Sequence, residues 1–265
     1  MQSDKYELGE RLGSGEFGEV YAAKNRDTGR AVAIKISRTE KAGVARTAVQ
    51  HEGKIHSALV GVRGVPQLKE CGIAGESYYL VMPLLGRTWA EESRGAATPA
   101  TRECYAVGES ILRTLERVHR AHIVHRDVTP GNVMFGLGGE GVFLCDFGLA
   151  CAYRVDQSHA PDERPVGIVG TPAFLSTNVL GGHRPSRRDD IEGLAYSIWY
   201  ALTGGEMPWT RTDRSVNSLM RCADGQPALA GVLGIIQHAR SLEYHHRPDY
   251  DLLAEEMRRA GLGCA

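Results

Sequence analysis

The stretch His125-Arg126-Asp127-Val128-Thr129-Pro130-Gly131-Asn132 constrains this chain more than any other part of it. An aspartate and an asparagine five residues apart on a tight loop can serve one substrate: Asp127 takes a proton from a hydroxyl while the amide oxygen of Asn132 holds a magnesium ion. Fourteen residues after Asn132, Asp146-Phe147-Gly148 follows the strand-like run Val142-Phe143-Leu144-Cys145. The Asp146 carboxylate can chelate the metal that bridges a phosphate chain. Any one of these matches can arise by chance, but their order and separations together leave little room for it.

A second run, Gly13-Ser14-Gly15-Glu16-Phe17-Gly18-Glu19-Val20, is a weak signal alone. A dinucleotide-binding loop of this pattern must open a helix, so that the pyrophosphate sits at the helix N-terminus. Here the run continues into Val20-Tyr21-Ala22-Ala23 and a turn, which predicts two antiparallel strands closing over a triphosphate. Val32-Ala33-Ile34-Lys35 then places a lysine in mid-strand, sharing a face with Ala33 and opposite Val32, Ile34 and Ile36. Glu52 lies on the apolar stripe of the following helix, an odd position for an unpaired carboxylate. A Lys35–Glu52 ion pair satisfies both groups and holds the lysine on the phosphates. His51-Glu52-Gly53-Lys54-Ile55-His56 is not a zinc site by this reading, since an i, i+5 pair stands about 140° apart around a helix.

The chain has 265 residues, 31 basic against 32 acidic side chains and 42% hydrophobic residues. This is a globular balance with no whole-molecule attraction to nucleic acid or an anionic membrane. Six scattered cysteines (Cys71, Cys104, Cys145, Cys151, Cys222 and Cys264) without a C-x-x-C pair predict reduced thiols, Cys145 being packed beside Asp146. No secretory signal or membrane-length apolar run is seen, so the expectation is a soluble protein of the cytoplasm or nucleus.

Strands are predicted over 19–24, 31–36 and 76–82, joined by the turn Asn25–Gly29, with a helix over 44–59. Pro83 to Gly86 breaks the pattern, and the domain boundary is set there. Helices follow over 101–121 and 191–202, the second apolar nearly all round and capped by Asp189 with Glu192. Two short runs, 133–135 and 142–145, adjoin polar loops. The class is α+β: a small β-rich lobe over a mainly helical one, with a cleft between. His245-His246 reads as a solvated turn without a metal partner nearby. Arg187-Arg188 reads as a surface pair able to bind an anion, and Trp199 and Trp209 read as core.

These residues resemble the eukaryotic protein kinase family over nearly the whole chain. Within it the similarity is greatest to the casein kinase 1 group, through Val81-Met82-x-Leu84-Leu85-Gly86, Asp146-Phe-Gly-Leu-Ala-x-x-Tyr153-Arg154, Ser176-Thr177-Asn178, and Ser186-Arg-Arg-Asp-Asp190-Ile-Glu-Gly-Leu-Ala-Tyr196. Pro208-Trp209, Arg240-Ser241-Leu242 and Pro248-Asp249-Tyr250 add to it. The resemblance implies one bilobal kinase domain over 1–265, with an N-lobe at 1–82, a hinge at 83–86 and a C-lobe at 87–265. It implies ATP and Mg2+ as cofactors, with phosphate passed to serine or threonine of protein substrates, no nucleic-acid partner, and a monomer by default. Asp127 is then the base and Lys35 the phosphate clamp, braced by Glu52, with Asn132 and Asp146 on the metal. Leu12, Gly13, Ser14, Gly15, Glu16, Phe17, Gly18, Glu19 and Val20 form the lid. Ala33, Met82 as gatekeeper, Leu85 and Met134 surround adenine, and Asp190 anchors the catalytic loop.

Two departures stand out. Thr129 occupies a position where such kinases usually carry a lysine that contacts the γ-phosphate. Ala173 replaces an arginine that helps to bind acidic or phosphorylated substrates. A nucleotide-binding scaffold without turnover, and a phosphotransferase for small molecules, are the alternative readings. The 33 residues from Asp146 to Asn178 form a segment long enough to be a peptide platform.

Overall fold

The computed structural model describes residues 5–38, 42–94, 100–155, 158–159, 167–207, 209 and 213–263. Pro208 and Cys264 lie outside these. The first strand, β1 (Tyr6–Ser14), turns through Gly15 and Phe17 into β2 (Gly18–Asn25), antiparallel to it, so the glycine run is a hairpin. Asn25 Oδ1 accepts the amides of Asp27 and Thr28, and Gly29, at φ 67°, completes the predicted turn into β3 (Ala31–Ser37). Alternation along β3 buries Val32 and Ile34 with Tyr6, Ala23 and Val81 on one face of the sheet, Ile36 packing against them. Ala33 and Lys35 take the other face.

Helix α1 (Ala42–Ala58) packs against β5 (Ser77–Pro83), which pairs on with β4 (Glu70–Ala74). Gly53 makes the close approach possible: a Cβ there would stand 3.0 Å from Leu80 Cδ2. The sheet order is β1-β2-β3-β5-β4. Pro83 does not break the pattern where the sequence suggested. It closes β5 opposite Val32, beyond the last residue pair with β4, where a missing N–H costs no ladder bond.

The rest is mainly helical. A short helix α2 (Trp89–Ser93) precedes α3 (Thr101–Arg120), then come β6 (Ile123–Val124), β7 (Val133–Phe135), β8 (Val142–Leu144) and β9 (Cys151–Ala152). The last four pair as β6 with β9 and β7 with β8. Four more helices follow α4 (Thr177–Leu180): α5 (Arg187–Leu202), α6 (Val216–Ala223), α7 (Pro227–Ser241) and α8 (Tyr250–Leu262). The predicted stripe of α3, Cys104, Ile111, Leu115 and Val118, is wholly buried. Gly108 lets α3 close on α5, since a Cβ there would meet Ile198 Cδ1 at 2.6 Å.

As expected, α5 is buried on nearly every side, with Trp199 and Trp209 edge to face in the same core. Its start differs from the predicted one. The helix begins at Arg187, and Asp189 Oδ2 accepts the amide of Ser186 at 2.7 Å, while Glu192 lies one turn further in. Ser186 and Asp189 form the capping box, and Glu192 takes no part in it because its carboxylate meets Thr177 and Arg240. Among the described residues, no helix is long and apolar enough to cross a membrane.

Candidate active site

The strand alternation of β3 points Lys35 toward α1, and the apolar stripe of α1 brings Glu52 to meet it. Lys35 Nζ stands 2.6 Å from Glu52 Oε2 and 2.8 Å from Asp146 Oδ1. Burial disfavours the Lys35 charge, but Glu52 and Asp146 outweigh it and raise its pKa. Burial pushes Glu52 up to about 7 against the pull of Lys35. Asp146 goes the other way: burial opposes its charge, yet Lys35 holds the carboxyl below its ordinary value. Its side chain is 52% exposed, so the carboxylate is open to a cation in the cleft.

Asp146 sits in the left-handed region, at φ 59°. That turn sends Phe147 inward, where it is fully buried with its ring edge-to-face with His125 (4.7 Å) and His56 (5.4 Å). His56 belongs to α1 and His125 to the loop after β6, so one phenyl ring links the helix that carries Glu52 to the loop that carries Asp127. His51 points elsewhere, to the carbonyl of Ala150 at 2.8 Å, and the two histidines do not converge on a metal position.

The loop itself is held from below. Asp190, at the start of α5, accepts the amides of His125 and Arg126 at 2.8 Å each and His119 Nε2 at 2.8 Å. Burial favours its neutral form, but His119 and these donors win and keep the carboxyl below its ordinary value. His119 Nδ1 in turn accepts a hydrogen bond from the hydroxyl of Tyr250, at 2.6 Å. His125 Nδ1 accepts the amide of Asp127 at 3.2 Å, so Nε2 carries the proton and donates to the carbonyl of Cys145 at 3.0 Å. The Asp127 and Asp146 segments are thereby tied through one imidazole.

Asp127 is clamped on both oxygens. Asn132 Nδ2 donates to Oδ2 at 2.8 Å and to the Asp127 carbonyl at 2.9 Å, and the amide of Thr171 donates to Oδ1 at 2.8 Å. With its nitrogen so engaged, Asn132 has its amide oxygen as the donor atom for a cation. Thr129 is buried, and its hydroxyl accepts the amide of Asn132 at 3.3 Å. It braces the loop from inside and supplies no charge to the cleft. The neighbouring Arg126 side chain lies against the thiol of Cys151.

On the opposite wall, Gly13 pairs with Val20 and Ser14 with Glu19 across the hairpin, leaving Glu16 and Phe17 at its tip. Gly18 permits the approach to β3, for a Cβ there would stand 2.8 Å from the carbonyl of Ile36. Arg38 pins this hairpin: its Nε donates to the carbonyl of Gly15 at 3.1 Å and its guanidinium to Ser14 Oγ. Val20 pairs with Lys35, and Ala33 pairs with Met82 of β5. The chain beyond β5 runs beside β7, where Gly86 donates to the carbonyl of Phe135 at 2.7 Å and Thr88 bridges to Met134. Leu12 has nearly half its surface exposed.

Several supports were not legible in the sequence. Ser176-Thr177-Asn178 docks onto α5 through the two acids first read as a cap. Ser176 Oγ donates to Asp189 Oδ1 at 2.6 Å, and Glu192 Oε1 accepts the amide of Thr177 at 3.3 Å. Glu192 also takes Arg240 Nη2 at 2.9 Å and the hydroxyl of Tyr196 at 2.5 Å. Arg187 and Arg188 are spent on carbonyls, those of His245 and Leu242 at 2.6 Å each, and do not form a free anion site. His245-His246 does have a carboxylate beside it: Glu243 Oε2 stands 3.8 and 3.7 Å from the two Nε2 atoms, all three residues being exposed. Among the described residues Cys71, Cys104, Cys145, Cys151 and Cys222 form no disulfide, and burial pushes the thiol of Cys145 up, away from reactivity.

An antiparallel five-stranded sheet over a helical lobe, with a lysine–glutamate pair facing two acidic loops, defines a bilobal kinase-like fold. A family model for the protein kinase domain matches residues 6–246, and the chain belongs to the protein kinase family.

Proposed function

We propose that this protein transfers the γ-phosphate of ATP to serine and threonine hydroxyls of protein substrates, in the manner of the casein kinase 1 group. The observation that carries the reading is Asp127, its two carboxylate oxygens fixed by Asn132 and Thr171 at the mouth of the cleft. A carboxylate so oriented takes the proton from an acceptor hydroxyl as that oxygen bonds to the γ-phosphorus and the bond to the β-phosphate oxygen breaks, releasing ADP.

The donor set fits Mg-ATP: a lysine charge for the phosphates, an exposed carboxylate on Asp146 and an amide oxygen on Asn132. Magnesium, when bound, neutralises charge on the phosphates. Lys35 orients the α- and β-phosphates, Glu52 keeps Lys35 from swinging away, and the glycine hairpin excludes water from above. Residues 83–86 serve as the hinge, with Leu85 offering backbone hydrogen bonds to adenine and Ala33, Met82 and Met134 lining its pocket. Protein substrates are favoured over small molecules by the length of the segment from Asp146 to Asn178, whose end is anchored on α5 by Asp189 and Glu192.

The test is transfer of labelled γ-phosphate from Mg-ATP to casein, run beside Asp127→Ala. Labelled phosphoserine or phosphothreonine that disappears in the variant supports the reading. ATP binding with no labelled acceptor, casein or the protein itself, moves a nucleotide-binding scaffold to first place.

A further inference from the structure

Arg214 lies in the chain before α6, far in sequence from every residue of the cleft, and it is 4% exposed. A guanidinium cannot be neutralised by giving up its proton, so burying it is costly unless its donors are met. Here backbone meets the two terminal nitrogens, while the buried Nε has no hydrogen-bond partner. Nη1 donates to the carbonyl of Leu175 and Nη2 to that of Pro172. The charge also lies 5.2 Å from the ring centre of Tyr196 and 5.6 Å from that of Trp209. Trp209 adds a third bond to the same segment, Nε1–H to the carbonyl of Ala173 at 3.4 Å. Three carbonyls in four consecutive residues are therefore held from one side.

The held segment leads directly into the catalytic carboxylate. Thr171, the residue before Pro172, donates its amide to Asp127 Oδ1 at 2.8 Å, and Gly170 fits against the loop so closely that a Cβ would meet the carbonyl of Arg126 at 2.8 Å. Thr171 and Pro172 are exposed on the other side. A chain presenting a hydroxyl to Asp127 must pass along this exposed edge.

We propose that Arg214 is a positioning residue for the protein acceptor: by bridging the carbonyls of Pro172 and Leu175 it sets the ledge on which the hydroxyl-bearing chain lies and the place of the Thr171 amide against Asp127. This rests on the proposed transfer to protein hydroxyls. Arg214 touches neither nucleotide nor acceptor, so its effect falls on the acceptor side of the reaction. Lysine keeps the charge but cannot bridge two carbonyls in one plane.

The test uses Arg214→Lys and Arg214→Met in the full chain, with casein as acceptor, displacement of a fluorescent ATP analogue by Mg-ATP for the nucleotide side, and amide hydrogen exchange. The expected result is a casein KM raised about tenfold or more in Arg214→Met and less in Arg214→Lys, with KM for ATP and analogue displacement within about twofold of wild type. Exchange should quicken over residues 171–176 and not over 145–148. A casein KM within about twofold of wild type in both variants, or equal losses on the ATP and casein sides, overturns the proposal. Should the wild-type protein label no acceptor, the acceptor role falls with the proposed function. Unchanged exchange over 171–176 removes the clamp itself, whatever the activity.

Discussion

Asn132 Nδ2 lies 2.8 Å from Asp127 Oδ2, and the same nitrogen reaches the Asp127 carbonyl. One amide thus holds the proposed base and leaves its own oxygen as the atom that would meet a cation. The two residues should fail differently. Asp127→Ala should lower kcat with casein by roughly 10² to 10⁴ while leaving Mg-ATP affinity near wild type. Asn132→Ala should lower kcat and also raise the magnesium concentration needed for half-maximal rate, read from a magnesium titration at fixed ATP.

Glu52 is buried and depends on Lys35 for its charge. Glu52→Gln keeps the shape and one hydrogen bond but leaves Lys35 to Asp146 alone. Urea denaturation should show a loss of about 1–3 kcal/mol, below the cost of a fully broken buried pair. Lys35 is then drawn to Asp146, and KM for ATP should rise. Unchanged ATP kinetics would remove Glu52 from the role of brace.

His56 packs on Phe147, and burial, followed by the Lys35 charge, drives its pKa from 6.5 down to about 4. The unfolded chain binds the proton more readily than the folded one. The resulting stability is fully present above pH 6.5 and is lost as pH falls from there toward 4, on the order of 3 kcal/mol in all. Glu52, raised by burial, contributes a slope of opposite sign and is present in both proteins compared. As pH falls from 6.5 to 4, wild type should therefore lose stability relative to His56→Phe, measured by urea midpoints at each pH. Parallel curves would refute it.

Arg240 donates from Nε and Nη2 to Glu192, whose side chain is almost wholly buried inside α5. Arg240→Met strands that carboxylate and should cost about 3–5 kcal/mol in chemical denaturation. The double variant with Glu192→Gln should recover part of the loss, because no buried charge remains unpaired. Recovery in the double variant separates charge pairing from simple loss of packing.

Much of the site was readable along the chain because the signals are local. The alternation of Val32, Ala33, Ile34 and Lys35 decides which face Lys35 takes, and the helical stripe of α1 puts Glu52 toward that face. The short spacing of Asp127 and Asn132 keeps them on one loop. Where the reading slipped, the missing information was also physical. Pro83 stays in β5 because β4 ends before it, Asp189 divides its oxygens between the Ser186 cap and Ser176, and Glu192 turns to Thr177 instead of the helix end. A carboxylate at a helix start looks like a cap until the segment packed against it is known.

From the sequence alone came the residue types of the cleft, their order, and the local geometry that aims each one, since strand and helix periods are properties of adjacent residues. Only the tertiary structure decided what buried polar groups meet across long separations. The Thr171 amide on Asp127, Phe147 between His56 and His125, and Arg214 beneath Pro172 and Leu175 all depend on how α1, α5 and the loops pack. A buried donor or acceptor must be satisfied, but nothing in its neighbouring residues says which distant partner packing will bring to it.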